Sequence, residues 1–252
     1  MEDYSDFKVD GTPCPLAFIQ GGTMELGEGD NQHSVTLPSF HMAKYQVTQV
    51  LYEAITKTNP SRYKDKNHPV TNVNWDESKE FIKQLNKITE KEFRLPSESE
   101  WEYAGRGGVN SQRYIYCGSD DLKQVGWYND NSGGEIKLVG LLLPNELGLY
   151  DMSGNVFEWC EDDYYSNFKD APKDGSAWVD DSNRPTRILR TIGDFFKDKP
   201  KDESIKRADY RVLRGGYYFD NSADCRPTYR NFDRPDYRNN AIGFRLVFPL
   251  QS

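Results

Sequence analysis

Thiols, imidazoles and paired carboxylates are the side chains from which catalysis or metal binding would start in this chain. The four cysteines, Cys14, Cys117, Cys160 and Cys225, are far apart and form no CxxC pair, the spacing a zinc site or redox dithiol needs. Their separation leaves both two disulfides and four free thiols open. The three histidines, His33, His41 and His68, show neither HxxxH nor HExxH spacing, so a histidine-built metal site or triad is not expected. Asp162-Asp163, Asp180-Asp181 and the run Glu98, Glu100, Glu102 offer the paired carboxylates of general acid/base chemistry. Charged turns and a solvated helix face account for them more simply. No glycine-rich loop follows a strand in the setting that cradles phosphate.

A second kind of chemistry, that of contact rather than turnover, is concentrated in one place. Between Arg214-Gly215-Gly216 and the apolar run Ile242–Phe248 lies a stretch crowded with Tyr, Phe, Asp, Asn and Arg and without a period. Lys, Glu, Gln, Met and Trp supply 50 of the 252 residues, so about five would be expected in the 25 residues from Tyr217 to Ala241; none occurs. Exposure alone does not exclude Lys and Glu, which suit solvated loops. Tyr and Phe give large contact area at low entropy cost, and Asp, Asn, Ser and Arg give directional hydrogen bonds, which is the composition of a paratope. The bland alternative is a loop-rich core region whose Arg and Asp pair internally.

The elements that must hold such a segment are legible. Leu16–Ile19 reads as a strand entering the Gln20-Gly21-Gly22 turn, and Ser34–Leu37 and Phe40–Ala43 as two more strands. Thr48 caps a helix bearing Val50, Leu51, Ala54 and Ile55 on one face, ended by Asn59-Pro60. Asn74 with Glu77 opens a second helix carrying Phe81, Ile82, Leu85 and Ile88, and Ser97 with Glu100 opens a short third one closed by Gly105. After Gly108 turns dominate. The stretch from Tyr164 to Tyr210 is charged with few apolar anchors, a surface excursion. No linker or repeat divides the chain. The expected architecture is one α+β domain over residues 1–252, with a core from 16 to 248, an insertion at about 164–210, helices in the first half and irregular, turn-rich β structure in the second.

The formal charge of −8 argues against nucleic acid, which needs a basic face. No apolar run approaches the roughly 20 residues of a membrane span, and the acidic start, Met1–Asp6, lacks a signal-peptide core.

Six ordered segments carry a resemblance: Lys44–Thr48, Pro69–Trp75, Phe93–Arg106, Pro144–Trp159, Arg211–Gly216 and Gly243–Arg245. Together they resemble the formylglycine-generating enzyme, or sulfatase-modifying factor, family, over about Leu16 to Phe248. The resemblance implies a C-type-lectin-like fold. The oxidase branch of that family needs two copper-binding cysteines five positions apart just after Arg-Gly-Gly. Here the second falls on Cys225 and the first on Asp220, and a carboxylate cannot replace a thiolate for soft Cu(I). Cys225 is then expected to be a small buried residue, and the chain is read as non-catalytic; an oxidase of a peptide cysteine or a small substrate is the alternative. The segment Asp151–Glu158 resembles a family calcium site, with Asp151 and Glu158 giving carboxylates and Gly154 and Val156 carbonyls. The competing reading is a tight turn with Asn155 capping it and Glu158 paired to an Arg. No cofactor is required on this reading, and calcium is the one candidate.

Tyr217–Ala241 further resembles the variable region of diversity-generating retroelement proteins. There, template adenines are replaced at random, and Asn codons ending in a pyrimidine cannot yield Lys, Glu, Gln, Met or Trp. The resemblance implies a ligand-binding display protein with variable contacts at Tyr217, Tyr218, Phe219, Asp220, Ser222, Asp224, Tyr229, Asn231, Phe232, Asp233, Arg234, Asp236, Tyr237, Asn239 and Asn240. Cys225, Arg226, Pro227, Arg230, Pro235 and Arg238 are expected as fixed supports. The partner would be a protein or glycan, the molecule a monomer, and its place the cell surface, anchored by a lipid through a leader outside this sequence.

Overall fold

A computed structural model describes residues 3–180 and 210–250. Short strands open the chain: β1 (Lys8–Val9), β2 (Thr12–Pro13), β3 (Leu16–Ile19), β4 (Gly22–Leu26), β5 (His33–Leu37) and β6 (Phe40–Ala43). Helices α1 (Gln49–Thr56), α2 (Trp75–Thr89) and α3 (Glu98–Gly105) follow, then two single-turn helices, α4 (Leu122–Val125) and α5 (Asn129–Ser132). The C-terminal half adds β7 (Phe157–Asp163), β8 (Arg211–Arg214), β9 (Arg230–Asp233), β10 (Ile242–Phe244) and β11 (Val247–Pro249). Helices thus come early and turn-rich β structure late, as the patterning predicts. The surface excursion expected over 164–210 lies mostly at 181–209, outside the described residues; its first part is anchored by buried Phe168 and by Tyr165 stacked on Trp178 at 3.7 Å.

The helix starts follow from their caps. Asn74 accepts from the Glu77 N–H and the Glu77 carboxylate accepts from the Asn74 N–H; Ser97 and Glu100 repeat the arrangement. Helix α1 stops earlier than Asn59-Pro60, because Lys57 turns left-handed at φ 60°. Along α2, Phe81, Ile82 and Leu85 are buried, but Ile88 is exposed in the last turn. Phe81 stacks on Tyr52 of α1 at 5.2 Å and meets Phe244 edge-on at 5.3 Å. Burying that one ring stabilises the fold by about 1.5–3 kcal/mol.

Two sheets frame the core. One has the order β10-β7-β8-β9, with β10 parallel to β7 and the other pairs antiparallel. The second has the order β11-β6-β3 and is antiparallel. The run Ile242–Phe248 reads as one alternating apolar strand, but the chain changes sheets within it, and every residue is buried. Leaving β10 on one sheet and joining the other as β11 covers both of its faces. All four cysteines are buried and free.

Candidate ligand-binding face

From Tyr217 to Asn240 only Cys225 and Pro227 are buried; every other residue is half-buried or exposed. The segment starts where β8 ends. Gly215 and Gly216 take φ of 98° and 72° there, and a Cβ on Gly216 would lie 2.7 Å from the Asp224 carbonyl oxygen and 2.9 Å from Cys225 Sγ. Only glycine allows the chain to turn so tightly over the thiol.

The framework grips this segment by its main chain. Asn72 N–H donates to the Asn239 carbonyl, Trp75 N–H to that of Pro235 and Asn129 N–H to that of Asp220. The Ser132 hydroxyl donates to the Tyr218 carbonyl at 2.7 Å, and Tyr218 N–H donates to the Asn155 carbonyl. Side chains from β8 to β9 complete the support. Arg230 forks onto Glu98 through Nε and Nη2 at 2.6 and 2.7 Å, Pro227 is buried, and Arg238 pairs with Glu77 at 2.9 Å. Among the expected supports Arg226 and Arg238 are exposed, and of the two only Arg238 holds a carboxylate among the described residues.

The expected contact residues fall into groups. Tyr217, Tyr218 and Phe219 form a ladder of edge-on rings at 5.4 and 6.3 Å, and Tyr217 and Tyr229 lean on Phe157. Phe219 is the most open of these rings, at 57% exposure. Ser222, Asp236 and Asn239 are exposed; Asp224 and Asn240 are half-buried. Asn239 Nδ2 donates to the Tyr237 hydroxyl, while the Tyr237 ring packs on the core. Strand β9 divides the rest. Arg230 and Phe232 share one side, where both meet the ring of Tyr164, and the alternation of a strand puts Asn231 and Asp233 on the other. Phe232 therefore packs on Tyr164 at 4.0 Å and on Tyr210 at 5.3 Å. Arg234 is half-buried just beyond β9.

Asp220 and Cys225 do not form a redox pair. Cys225 is fully buried with Leu122, Val125 and Tyr128, and burial first, then the Asp220 and Asp224 carboxylates, push its thiol well above the usual range. A neutral thiol is neither a nucleophile nor a ready metal ligand. Asp220 accepts from the Tyr217 N–H at 3.1 Å; burial and Asp224 push its carboxyl up to about 7.

The residues expected around calcium do not fit a cation. Glu158 is fully buried and gives both oxygens to Arg245, at 2.6 and 2.7 Å, with further bonds from Trp101 Nε1 and Gln46 Nε2. Gln46 Nε2 also donates to the carbonyls of Val156 and Asp151. Asp151 is turned to the Gly140 N–H through Oδ2, and Gly154, at φ 103°, packs on the Trp127 backbone. Asp151 Oδ1 has no partner among the described residues. Guanidinium charge and amide donors fill the place a cation would take. Among the described residues no group of three or more His, Cys, Asp and Glu is placed to hold a metal.

Sequence reasoning missed the charges beneath the face. Glu98, Glu100 and Glu102 are buried, not on a solvated helix face. Glu98 pairs with Arg214 and Arg230, Glu102 with Arg214 and Arg106, and Glu100 with Arg94. Asp162 and Asp163 are buried on β7 rather than in a charged turn; Asp163 pairs with Arg211, and Asp162 accepts from the Glu98 and Trp178 N–H groups. Burial and the nearby Glu98 push the Asp162 carboxyl up to about 8.

The sulfatase-modifying factor enzyme 1-like domain matches residues 11–250. The chain belongs to this family. Within it, the chain is 30% identical over 225 residues to chaperone protein LppX of Paenibacillus barcinonensis, covering 67% of this chain and 80% of that one. It is 30% identical over 202 residues to the formylglycine-generating enzyme of Streptomyces coelicolor, covering 72% of this chain but 52% of that enzyme, about half its length. Treponema denticola variable protein 1 superposes with a TM-score of 0.76 at 25% identity, covering 97% of this chain and 98% of that one. The α+β, C-type-lectin-like fold expected from the six motifs is therefore the fold of this family member.

Proposed function

We propose that this chain is a non-catalytic display protein that binds a protein or glycan ligand through the side chains of Tyr217–Asn240. One observation carries the reading: the framework holds the segment by main-chain bonds and leaves every residue but Cys225 and Pro227 at least partly exposed. Side-chain identity can then change while the backbone path persists. The likeness to Treponema denticola variable protein 1 supports it, as does the composition of the segment. Diversification by a retroelement and a cell-surface place belong to the same proposal.

The test is a library that randomises the exposed contact positions Phe219, Ser222, Asp236 and Asn239 on the fixed framework, selected against hen lysozyme and against a defined glycan array. Binders whose melting matches the parent are expected. Each exposed substitution should shift stability by less than about 0.5 kcal/mol. If substitutions at Phe219, Ser222, Asp236 and Asn239 unfold the chain, the segment is core and the reading fails.

The second reading, an oxidase of peptide cysteine, rests on the likeness to the Streptomyces coelicolor enzyme. Thiol loss from a cysteine-containing peptide in the presence of copper, abolished by Cys225→Ala, would establish it. The buried neutral thiol and the carboxylate at position 220 lead us to expect no turnover.

A further inference from the structure

A cleft of about 930 Å³ runs between β4, the loop after α3 and the turn Arg226–Thr228. Neither Asp220 nor Cys225 lines it, nor does any ring of the Tyr217–Phe219 ladder, so it is distinct from the position of the family's oxidation chemistry. Its wall on one side is a strand edge. Among the described residues, strand β4 is paired with β5 alone. Thr23, Met24 and Glu25 follow one another along the cleft, although alternate side chains of a strand point to opposite faces; what borders the cleft is therefore the open edge itself. Among the described residues, the main chain of Thr23–Glu25 makes no hydrogen bond beyond those to β5. An open edge with a cleft beside it is a template for strand addition.

The opposite wall sets the chemistry. Arg94, Arg106, Arg211, Arg214, Arg230, Arg238 and Arg245 each hold a carboxylate. Arg113 and Arg226, both exposed, line the cleft and hold none among the described residues. Beside them stand Tyr114 and Ile115, 40% and 52% exposed. Glu25 and Glu28 line the same cleft, and Glu28 accepts from the Thr228 hydroxyl at 3.0 Å. Those two carboxylates repel a polyanion, whereas a single acid among apolar neighbours meets the unpaired arginines.

We propose that the cleft binds an extended peptide that adds a strand to the free edge of β4, with one acidic side chain on Arg113 and Arg226 and apolar side chains on Tyr114 and Ile115. Main-chain bonds supply the grip and the arginine forks the choice of residue.

The experiment uses the full chain and three fluorescein-labelled peptides: Ser-Val-Tyr-Glu-Val-Thr-Ser, the same peptide with Lys for Glu, and hexaglutamate. Anisotropy should show the first binding more tightly than either other. Arg113→Ala with Arg226→Ala should weaken it about tenfold, as for two exposed ion pairs, and should not weaken the lysine peptide, whose ammonium loses two like charges facing it. Glu25→Gln with Glu28→Gln should raise the affinity for hexaglutamate. Amide exchange at Thr23–Glu25 should slow with the first peptide bound. Equal binding of the lysine peptide, tighter binding of hexaglutamate by the parent protein, unchanged exchange at Thr23–Glu25, or no binding of the first peptide at millimolar concentration would each overturn the proposal. Melting curves of the two double variants should match the parent, because all four side chains are exposed. A failed display library would leave this test untouched, since it varies none of these residues.

Discussion

Replacing Arg245 by Met gives the sharpest test of how the centre of the fold is held. Arg245 and Glu158 are both fully buried, joined by bonds of 2.6 and 2.7 Å. Met keeps most of the volume and removes the charge. Glu158 would retain Trp101 Nε1 at 2.7 Å and Gln46 Nε2 at 3.0 Å, but its negative charge would stand uncompensated in the interior. Breaking a buried pair from one side costs about 3–5 kcal/mol. For a domain of this size each kcal/mol is worth about 2–4 °C, so melting should fall by roughly 6–20 °C. Adding Glu158→Gln to Arg245→Met should recover about half of that loss, because no bare charge remains. Thermal melts of the four proteins close the cycle, run with EDTA and with calcium. A resident calcium at a hundredfold excess over its Kd would add about 2.7 kcal/mol to the parent; no such rise is expected. If Arg245→Met melts within 2 °C of the parent, or the double variant is as unstable as the sum of the singles, the argument that this ion pair replaces a metal is wrong.

Three further expectations concern the neighbourhood of the face. Gly216→Ala, forced to carry a Cβ at φ 72° within 3 Å of Asp224 and Cys225, should lower melting and disturb the Tyr217–Phe219 resonances in an NMR spectrum; an unchanged spectrum would show that the turn tolerates a side chain. Asp162, raised to about 8 from an ordinary value near 3.8, keeps its proton when folded over a range in which the unfolded chain has lost it. Its contribution to stability is therefore full below about pH 4 and is lost as pH rises towards 8. Glu98, held below the usual carboxylate range by Arg230 and Arg214 against the cost of burial, acts in the opposite sense and loses its contribution on acidification. Urea denaturation of the parent and Asp162→Asn at pH 5, 7 and 9 should show the downward slope in the parent and a flatter one in the variant. Phe81→Ala, which removes a ring shared by α1, α2 and β10, should cost about 3–5 kcal/mol, measured by the same denaturation.

What could be read in the sequence was what depends on near neighbours. The capping pairs Asn74/Glu77 and Ser97/Glu100 are three residues apart and were placed by type and spacing alone. The strands Leu16–Ile19 and Phe40–Ala43 were likewise visible in short apolar runs. The buried acids were not. Glu98, Glu100 and Glu102 turn by about 100° per residue around a helix, so no single apolar stripe marks their surroundings. Arg214 and Arg230, which hold Glu98 and Glu102, lie over a hundred positions away. The change of sheet within Ile242–Phe248 is hidden for a related reason: seven residues of an alternating apolar run give no local sign of where β10 ends and β11 joins another sheet. The cleft beside β4 gave no motif, because an open edge is a property of pairing and not of composition.

Under the proposed function, the placement of these buried charges bears on how a variable surface would coexist with a stable fold. If outward side chains also carried the fold, each new ligand specificity would bring its own loss of stability, and few variants would survive. Here the loads are separated. Arg230 and Arg214, joined through Glu98, tie β9, β8 and α3 from beneath, while the N-terminal turn of α2 and the α5 turn hold the segment's carbonyls from the side. Neither set uses the rings of Tyr218 or Phe219. An ion pair also fixes geometry in a way an apolar contact does not, since a shift of an ångström breaks the fork on Glu98 but barely alters an oily contact. The separation has a boundary within the segment. Phe232 and Tyr237 pack inward, so exchanging them for small polar residues should cost stability where exchanging Phe219 does not. A stability scan across the fifteen expected contact positions would locate that boundary, and a uniform cost at all of them would refute the separation of roles.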